Sequence, residues 1–131
     1  KITHKVSGLN TNSAYSMLEV ELYGEGPPLH IHKSEDESFY VLEGEINLLV
    51  GEHNIRATAG SLIFVPKGTI HTFSQIGHQP AKFLVTYSPS GFEKFFDEAV
   101  DLGEMDTEAY ITKANALADK YNMEVVGPPI G

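Results

Sequence analysis

Short stretches of alternating apolar and polar side chains run from about residue 13 to residue 88. Over residues 16–22 the alternation has the two-residue period of a strand with one buried face. Four further segments are rich in β-branched and aromatic residues, which favour strands, and they cover 39–42, 46–50, 62–65 and 83–87. Clusters that contain Gly or Pro separate these segments, and such residues reverse the chain readily. Many short strands at this spacing predict an all-β sandwich or barrel, between which the pattern alone does not choose.

After Pro89 the period of the apolar residues changes to that of a helix. Ser90 and Glu93 have the spacing of a capping box, Gly103 supplies a stop, and Asp106 is a candidate N-cap for a second helix. We therefore predict a C-terminal helical extension over about residues 90–121, attached to a barrel over about 13–88 in a single domain of residues 1–131. The helices are expected to pack against the outside of the barrel or against a partner subunit. Each predicted helix has an apolar stripe. In the first helix it comprises Phe92, Phe95, Phe96 and Ala99, and in the second it comprises Tyr110, Ala114, Leu117, Ala118 and Tyr121.

Composition and charge narrow the classes of partner. The chain of 131 residues is 41% hydrophobic and 21% charged, which is typical of one soluble globular domain. Its net charge of −9 repels phosphate backbones, so we expect no nucleic-acid partner. No apolar run is long enough for a membrane helix, and residues 1–8 lack the apolar core of a secretory signal. We therefore expect a cytoplasmic protein without a membrane partner.

Two histidines in one short stretch are candidates for chemistry. Side chains two residues apart on a strand point to the same face, so His30 and His32 can aim two imidazoles at one point. Together with Glu37 and His71 they would supply three imidazoles and one carboxylate, a set that suits a borderline divalent ion. The chain has no cysteine, so any metal must be held by nitrogen and oxygen. The remaining histidines lie in the N-terminal segment and in turn-like stretches, where a surface position is expected: His4, His53 and His78.

Residues 24–75 resemble the two halves of the cupin signature. The first half, G-x5-H-x-H-x3-4-E-x6-G, matches at every fixed position. The second half, G-x5-P-x-G-x2-H-x3-N, matches until its last position, where Gln75 stands in place of Asn. The matching residues are Gly24, His30, His32, Glu37 and Gly44 in the first half, and Gly60, Pro66, Gly68 and His71 in the second.

The resemblance implies a double-stranded β-helix, which is a small jelly-roll barrel, with a metal inside. It assigns the metal to His30, His32, Glu37 and His71, and the ion would be one divalent transition metal: iron, manganese, nickel, copper or zinc. Glu35 and Asp36 adjoin Glu37, and a shifted register would make one of them the ligand. The shorter spacing that the signature allows selects Asp36, which is not Glu and misses the later Gly, so we assign Glu37.

Strand parity also predicts which side chains share the cavity with the ligands. Phe39 and Val41 have the parity of Glu37, and Phe73 and Gln75 have that of His71. Tyr15 and Met17 are further candidates from the first strand. An apolar pocket with one metal and few polar groups is the usual composition of a small-molecule site.

A small cupin domain followed by residues 89–96 and a terminal helix resembles the single-domain cupins related to quercetin-type dioxygenases. This resemblance implies metal-dependent oxygenolysis of an aromatic or enol substrate, with Glu37 as a candidate catalytic proton acceptor. Cupins with the same four ligands also include isomerases, decarboxylases and binding proteins, and fold does not determine function. A non-catalytic barrel that binds a metal or small ligand, a barrel with a purely stabilising metal, and an isomerase therefore stay open. We expect a homodimer, because sheet edges and the Phe-rich helix need covering.

Overall fold

The computed structural model describes residues 1–99 and 107–130. Within these residues, strands predominate and two helices follow the ninth strand. In chain order the elements are β1 (Ile2–Val6), β2 (Ser16–Leu22), β3 (Pro28–His32), β4 (Asp36–Glu43), β5 (Glu45–Val50), β6 (His53–Thr58), β7 (Leu62–Val65), β8 (His71–Ile76), β9 (Ala81–Ser88), α1 (Glu93–Ala99), α2 (Thr107–Lys120) and β10 (Met123–Pro129).

The strands form two antiparallel sheets of five strands each. Their orders are β1-β2-β9-β4-β7 and β10-β3-β8-β5-β6, so neighbours in space are mostly distant in sequence. Strands β4, β7 and β9 of the first sheet alternate along the chain with β3, β5, β6 and β8 of the second. This arrangement confirms the predicted all-β double-stranded β-helix with C-terminal helices.

One hydrophobic core lies between the sheets. Along β9 every second residue is buried, as the alternation predicted, and the same holds for β4 from Glu37 to Val41. The rings of Phe39 and Phe83 are fully buried, and each contacts Phe73 of the other sheet at centroid distances of 5.3 and 5.4 Å. Glu37 has the parity of these core residues, so its carboxylate points inward rather than to the surface.

Strands β1 and β10 lie outside the range predicted for the barrel. β10 pairs with β3, where Met123 lies opposite His32 and Val125 opposite His30. Its sequence ends in Gly-Pro-Pro, and proline is normally excluded from the interior of a sheet because it lacks an N–H group. Since β10 is an edge strand, it tolerates the prolines, and the pattern alone did not predict it.

The two helices lie where the change of period predicted them. The Phe92 and Phe95 rings stack at 5.0 Å with an interplanar angle of 12°. Glu93 accepts hydrogen bonds from Gly91 N and from Gly8 N, which joins the start of α1 to the N-terminal loop. The predicted stop at Gly103 and N-cap at Asp106 lie outside the described residues, as does the side chain of Tyr110. Neither helix among the described residues has the length and hydrophobicity to span a membrane.

Candidate metal centre

Three strands from the two sheets bring the candidate ligands together. His30 and His32 lie on the inward face of β3, and the ladder between β3 and β8 places His30 directly opposite His71. Glu37 comes from β4 of the other sheet. Gly68 turns the chain into β8 with a φ of 84°, a conformation that favours glycine, and its N–H donates to the carbonyl of His32. This bond ties the approach of His71 to the strand that carries the other two histidines.

The four side chains form a compact and buried group. One nitrogen or oxygen atom from each lies within 4.8 Å of the others, and all four residues are at most 5% exposed. Glu37 Oε1 is 3.6 Å from His32 Nε2 and 3.4 Å from His71 Nε2. Ligands placed about 2.0–2.2 Å from an ion stand about 3–4 Å apart, so these separations suit one divalent metal.

Hydrogen bonding inside the group also fits a metal. The Nδ1 atom of His30 donates to Pro28 O at 2.8 Å, and that of His71 donates to Thr69 O at 2.9 Å. These bonds orient the rings and leave Nε2 facing the centre, as in protein metal sites. Glu37 Oε2 and His71 Nε2 are buried without a hydrogen-bond partner. Because buried polar atoms normally have one, their chemistry and position match an ion between them.

Burial and charge set the protonation of the metal-free group. Burial, followed by the neighbouring histidines, lowers the pKa of His30 to about 4 and that of His32 to about 2, so both are neutral ligands at pH 7. Burial also lowers the pKa of His71, but the Glu37 carboxylate 3.4 Å away outweighs it, and the net shift is upward. The Glu37 carboxylate therefore favours the protonated form of His71 in the metal-free protein.

The two acidic neighbours of Glu37 have other positions. Asp36 accepts a hydrogen bond from Lys67 N at 2.9 Å and so holds the turn before β8. Glu35 is buried and lies 4.0 Å from His32 Nδ1, the ring nitrogen that is not directed at Glu37. Burial, followed by the Glu37 and Glu93 carboxylates, raises the pKa of Glu35 to about 7. Among the three acidic residues, Glu37 is the one that lies with the histidines in the four-residue group.

A cavity of about 430 Å³ opens beside the group. His30, His32 and Glu37 of the four-residue group line it, and so does the acidic residue Glu25. No lysine or arginine lines it among the described residues. The rest is mostly apolar, so a bound molecule would meet the histidines on one side and hydrocarbon on the others. Its aromatic lining consists of Phe39, Phe73, Tyr87, Phe92, Phe95 and Phe96.

Two of the six side chains predicted for the pocket, Phe39 and Phe73, line this cavity. Val41 is fully buried in the core but is absent from the cavity wall. Gln75 is not among the lining residues: its amide nitrogen donates to Gly77 O and Gln79 O, and its Oε1 accepts from Gly24 N. The polar side chain satisfies backbone groups of two turns and is not available to the cavity.

Tyr15 and Met17 are not among the residues that line this cavity. The inward residues of β2 are those with the parity of Ser16 and Leu18, so Met17 takes the opposite face and Tyr15 is 39% exposed. Val20 and Leu22 line the cavity instead. Their alternation with Glu19 and Glu21 was a usable signal for this phase.

Sequence reasoning also missed Tyr87, Phe92 and the residues of α1 in the cavity wall. Tyr87 lies opposite Glu37 in the ladder between β9 and β4, and its ring centroid is 5.6 Å from that of His32. The Phe92 ring is closer still, with its centroid 4.2 Å from that of His32. The alternation along β9 could have indicated that Tyr87 points inward, whereas no local pattern indicated where α1 docks.

Curated relatives match the part of the chain that carries the motifs. A segment of 67 residues is 31% identical to quercetin 2,3-dioxygenase from Bacillus subtilis and covers 51% of this chain and 20% of that protein. Another, of 76 residues, is 37% identical to the protein named "Probable oxidoreductase virH" from Hypocrea virens, with coverage of 56% and 35%. The chain therefore spans about a fifth to a third of the length of these two relatives.

Solved structures and a family comparison address the fold directly. The cupin domain of Cnp3 from Schizosaccharomyces pombe superposes with a TM-score of 0.62 at 21% identity, over 72% of this chain and 63% of that one. The sequence model of the cupin domain matches residues 17–87, which is more than half of the chain and includes all four candidate ligands. The chain belongs to the cupin family.

Proposed function

We propose that this protein is a metal-dependent dioxygenase that acts on a small aromatic or enol substrate. The observation that carries the proposal is the placement of the His30, His32, Glu37 and His71 group beside a cavity with largely aromatic walls. One divalent transition ion would be held by the three Nε2 atoms and the Glu37 carboxylate. Iron, manganese, nickel and copper suit oxygen chemistry, whereas zinc alone would favour binding or Lewis-acid chemistry.

Size and charge of the cavity support a flat, uncharged ligand. A volume of about 430 Å³ lies in the range of small-molecule sites. Aromatic side chains favour stacked or edge-on contacts with a ring system. The lining has no basic side chain among the described residues to neutralise a highly charged anion. The names of two relatives, a quercetin dioxygenase and an oxidoreductase, agree with this class of substrate and reaction.

Glu37 is the proposed proton acceptor. When bound, the metal supplies a Lewis acid for a substrate oxygen and, if redox-active, electron exchange with dioxygen. Glu37 Oε1 faces the histidines, Oε2 is buried without a hydrogen-bond partner, and Glu37 is one of the residues that line the cavity. In the proposed step the substrate O–H bond breaks, its electron pair stays on the substrate oxygen, and the proton moves to the carboxylate.

Elemental analysis of the purified protein followed by oxygen uptake tests this function. The protein would be reconstituted separately with iron, manganese, nickel, copper and zinc, and assayed with a panel of flavonols and enediols. We expect one bound metal per chain and uptake with a redox-active ion. The His30→Ala and His32→Ala variants should lose the bound metal and the oxygen uptake. The control is His53→Ala, which replaces an exposed histidine in β6 and should keep both properties.

Two results would contradict the proposal at different levels. A protein that binds only zinc, and takes up no oxygen with any reconstituted metal, would be a non-catalytic binding barrel or a cupin isomerase. Metal content at background in the wild type, equal to that of His30→Ala, would refute the metal site itself.

A further inference from the structure

His32 differs from the other two candidate ligands in what its second ring nitrogen contacts. The Nδ1 atoms of His30 and His71 each donate to a backbone carbonyl two residues earlier in the chain. His32 Nδ1 has no hydrogen-bond partner, although the residue is only 2% exposed. A buried ring N–H without an acceptor is costly, and a metal-binding imidazole almost always has a partner on its outer nitrogen.

The Glu35 carboxylate faces this nitrogen. Glu35 Oε1 lies 4.0 Å from His32 Nδ1, the side chains are 8% and 2% exposed, and Oε1 is itself buried without a partner. The donor and the acceptor are thus both unpaired and adjacent. A shift of about 1 Å would bring these two atoms within hydrogen-bond distance.

Two aromatic rings also contact the His32 ring. The rings of Phe92 and Tyr87 approach it edge-on, with centroids at 4.2 and 5.6 Å and interplanar angles of 77° and 67°. On the opposite side of the ring, Nε2 is 3.6 Å from Glu37. Aromatic packing therefore limits the tilt of the ring, and a carboxylate is the group placed to select which nitrogen carries the proton.

We infer that Glu35 is a positioning residue that accepts a hydrogen bond from His32 Nδ1 and so keeps Nε2 free to bind the metal. This inference rests on the metal-site part of the proposed function and is independent of the oxygenase chemistry. Glu35 would act only through His32, because its carboxylate lies on the Nδ1 side and not with the four ligands. Carboxylate partners of this kind typically change metal affinity about 10–100-fold.

The first test uses the metal-free protein labelled with ¹⁵N-histidine. The two-bond nitrogen–proton correlations report which nitrogen of His32 is protonated. We expect the Nδ1–H form in the wild type and a loss of that preference in Glu35→Leu, which has no acceptor. Glu35→Gln keeps an acceptor oxygen and should restore the form in part. Asp36→Asn removes one adjacent charge from the same segment and should leave His32 unchanged.

The second test is metal affinity, measured with nickel or zinc against a competing chelator. We expect affinity to fall about 10–100-fold in Glu35→Leu and less in Glu35→Gln, with Asp36→Asn within about 2-fold of the wild type. The inference would be overturned if Glu35→Leu had the same metal affinity and the same protonated nitrogen of His32 as the wild type. If that variant does not fold, the wild-type spectrum decides, because an Nε2–H form of His32 would overturn it equally. A wild type that binds no metal but shows the Glu35-dependent Nδ1–H form would refute the metal function and leave this contact standing.

Discussion

At the scale of single residues, the candidate centre combines two neutral histidines with a third that is paired to a carboxylate. His30 and His32 have pKa values lowered to about 4 and about 2, mainly by burial, so they lose no proton when a metal binds at pH 7. His71 has a raised pKa because the effect of the nearby Glu37 carboxylate exceeds that of burial. The contact between His71 and Glu37 stabilises the metal-free fold below the unfolded histidine pKa of about 6.5, and this contribution is lost as the pH rises through the raised pKa of His71.

We therefore predict that metal binding releases up to one proton, from His71. Affinity should rise with pH through the neutral range, by no more than about tenfold per pH unit, because one proton competes with the ion. Calorimetric titrations in buffers with different ionisation enthalpies would measure the released protons. A release of two or more protons at pH 7, or an affinity that does not change between pH 6 and 8, would contradict this assignment.

Replacement of Glu37 by Gln should separate binding from chemistry. The amide keeps the shape of the carboxylate but neither its charge nor its ability to take a proton, so we expect a weaker metal site. In protein loaded by excess metal, oxygen uptake should fall about 10²–10⁴-fold. Asp36→Asn is the matched control, since Asp36 contacts Lys67 N and not the ligand group. Normal turnover by a metal-loaded Glu37→Gln protein would exclude a catalytic role.

At the scale of elements, the cavity depends on the close approach of the loop after β2 to β8. A Cβ atom added at Gly26 would lie 2.0 Å from the carbonyl oxygen of Phe73, far inside van der Waals contact. Gly26 and Phe73 both line the cavity, so the absence of a side chain at Gly26 lets the cavity wall close. This packing joins a loop of one motif half to a strand of the other.

Gly26→Ala should accordingly destabilise the fold and distort the cavity. We expect a loss of about 1–3 kcal/mol in the free energy of unfolding, typical of overpacking, together with weaker binding of an aromatic ligand. Gly51→Ala is the control: its Cβ would meet nothing within 4 Å, and its φ of 59° costs only backbone strain. Chemical denaturation and ligand titration would measure both effects. Equal ligand affinities in the two variants would show that the contact with Phe73 does not shape the cavity.

Pattern and structure agree best where an element buries one face. The strand segments from 39 to 87 and the helical extension are all present because alternation and helical spacing follow directly from burial. β10 was missed because its prolines disfavour a strand unless it lies at a sheet edge, and edge position is a property of the whole fold. On β2 the alternation was visible in the sequence, but the predicted inward side chains were Tyr15 and Met17, whereas the buried residues are Ser16 and Leu18.

At the scale of the whole molecule, one outer face carries exposed apolar side chains. Leu62 and Phe64 of edge strand β7 are 65% and 58% exposed, and Tyr40 lies opposite Leu62 on β4 at 42%. Exposed apolar residues on an edge strand are a common site of self-association. The homodimer expected from the sequence stays a prediction, and this face is the surface on which we place it.

Sedimentation equilibrium would test the dimer. We expect Leu62→Glu and Phe64→Glu to weaken self-association at least tenfold, while Leu9→Glu, at a 96% exposed residue elsewhere, should not change it. Because two copies with a charge of −9 repel each other, association should strengthen as salt is added. A wild type that is monomeric at all concentrations and salt levels would refute the prediction.

By itself the sequence determined the all-β class, the helical extension and the identity of the four side chains that form the buried group, because strand parity and motif spacing are local properties. Only the tertiary structure decided the surroundings of that group. Gln75 binds the turns, whereas Tyr87 and Phe92 approach His32, and Glu35 lies against the second nitrogen of the same ring. Such contacts depend on how strands from two sheets register and where a later helix docks. Neither is encoded in the spacing of nearby residues.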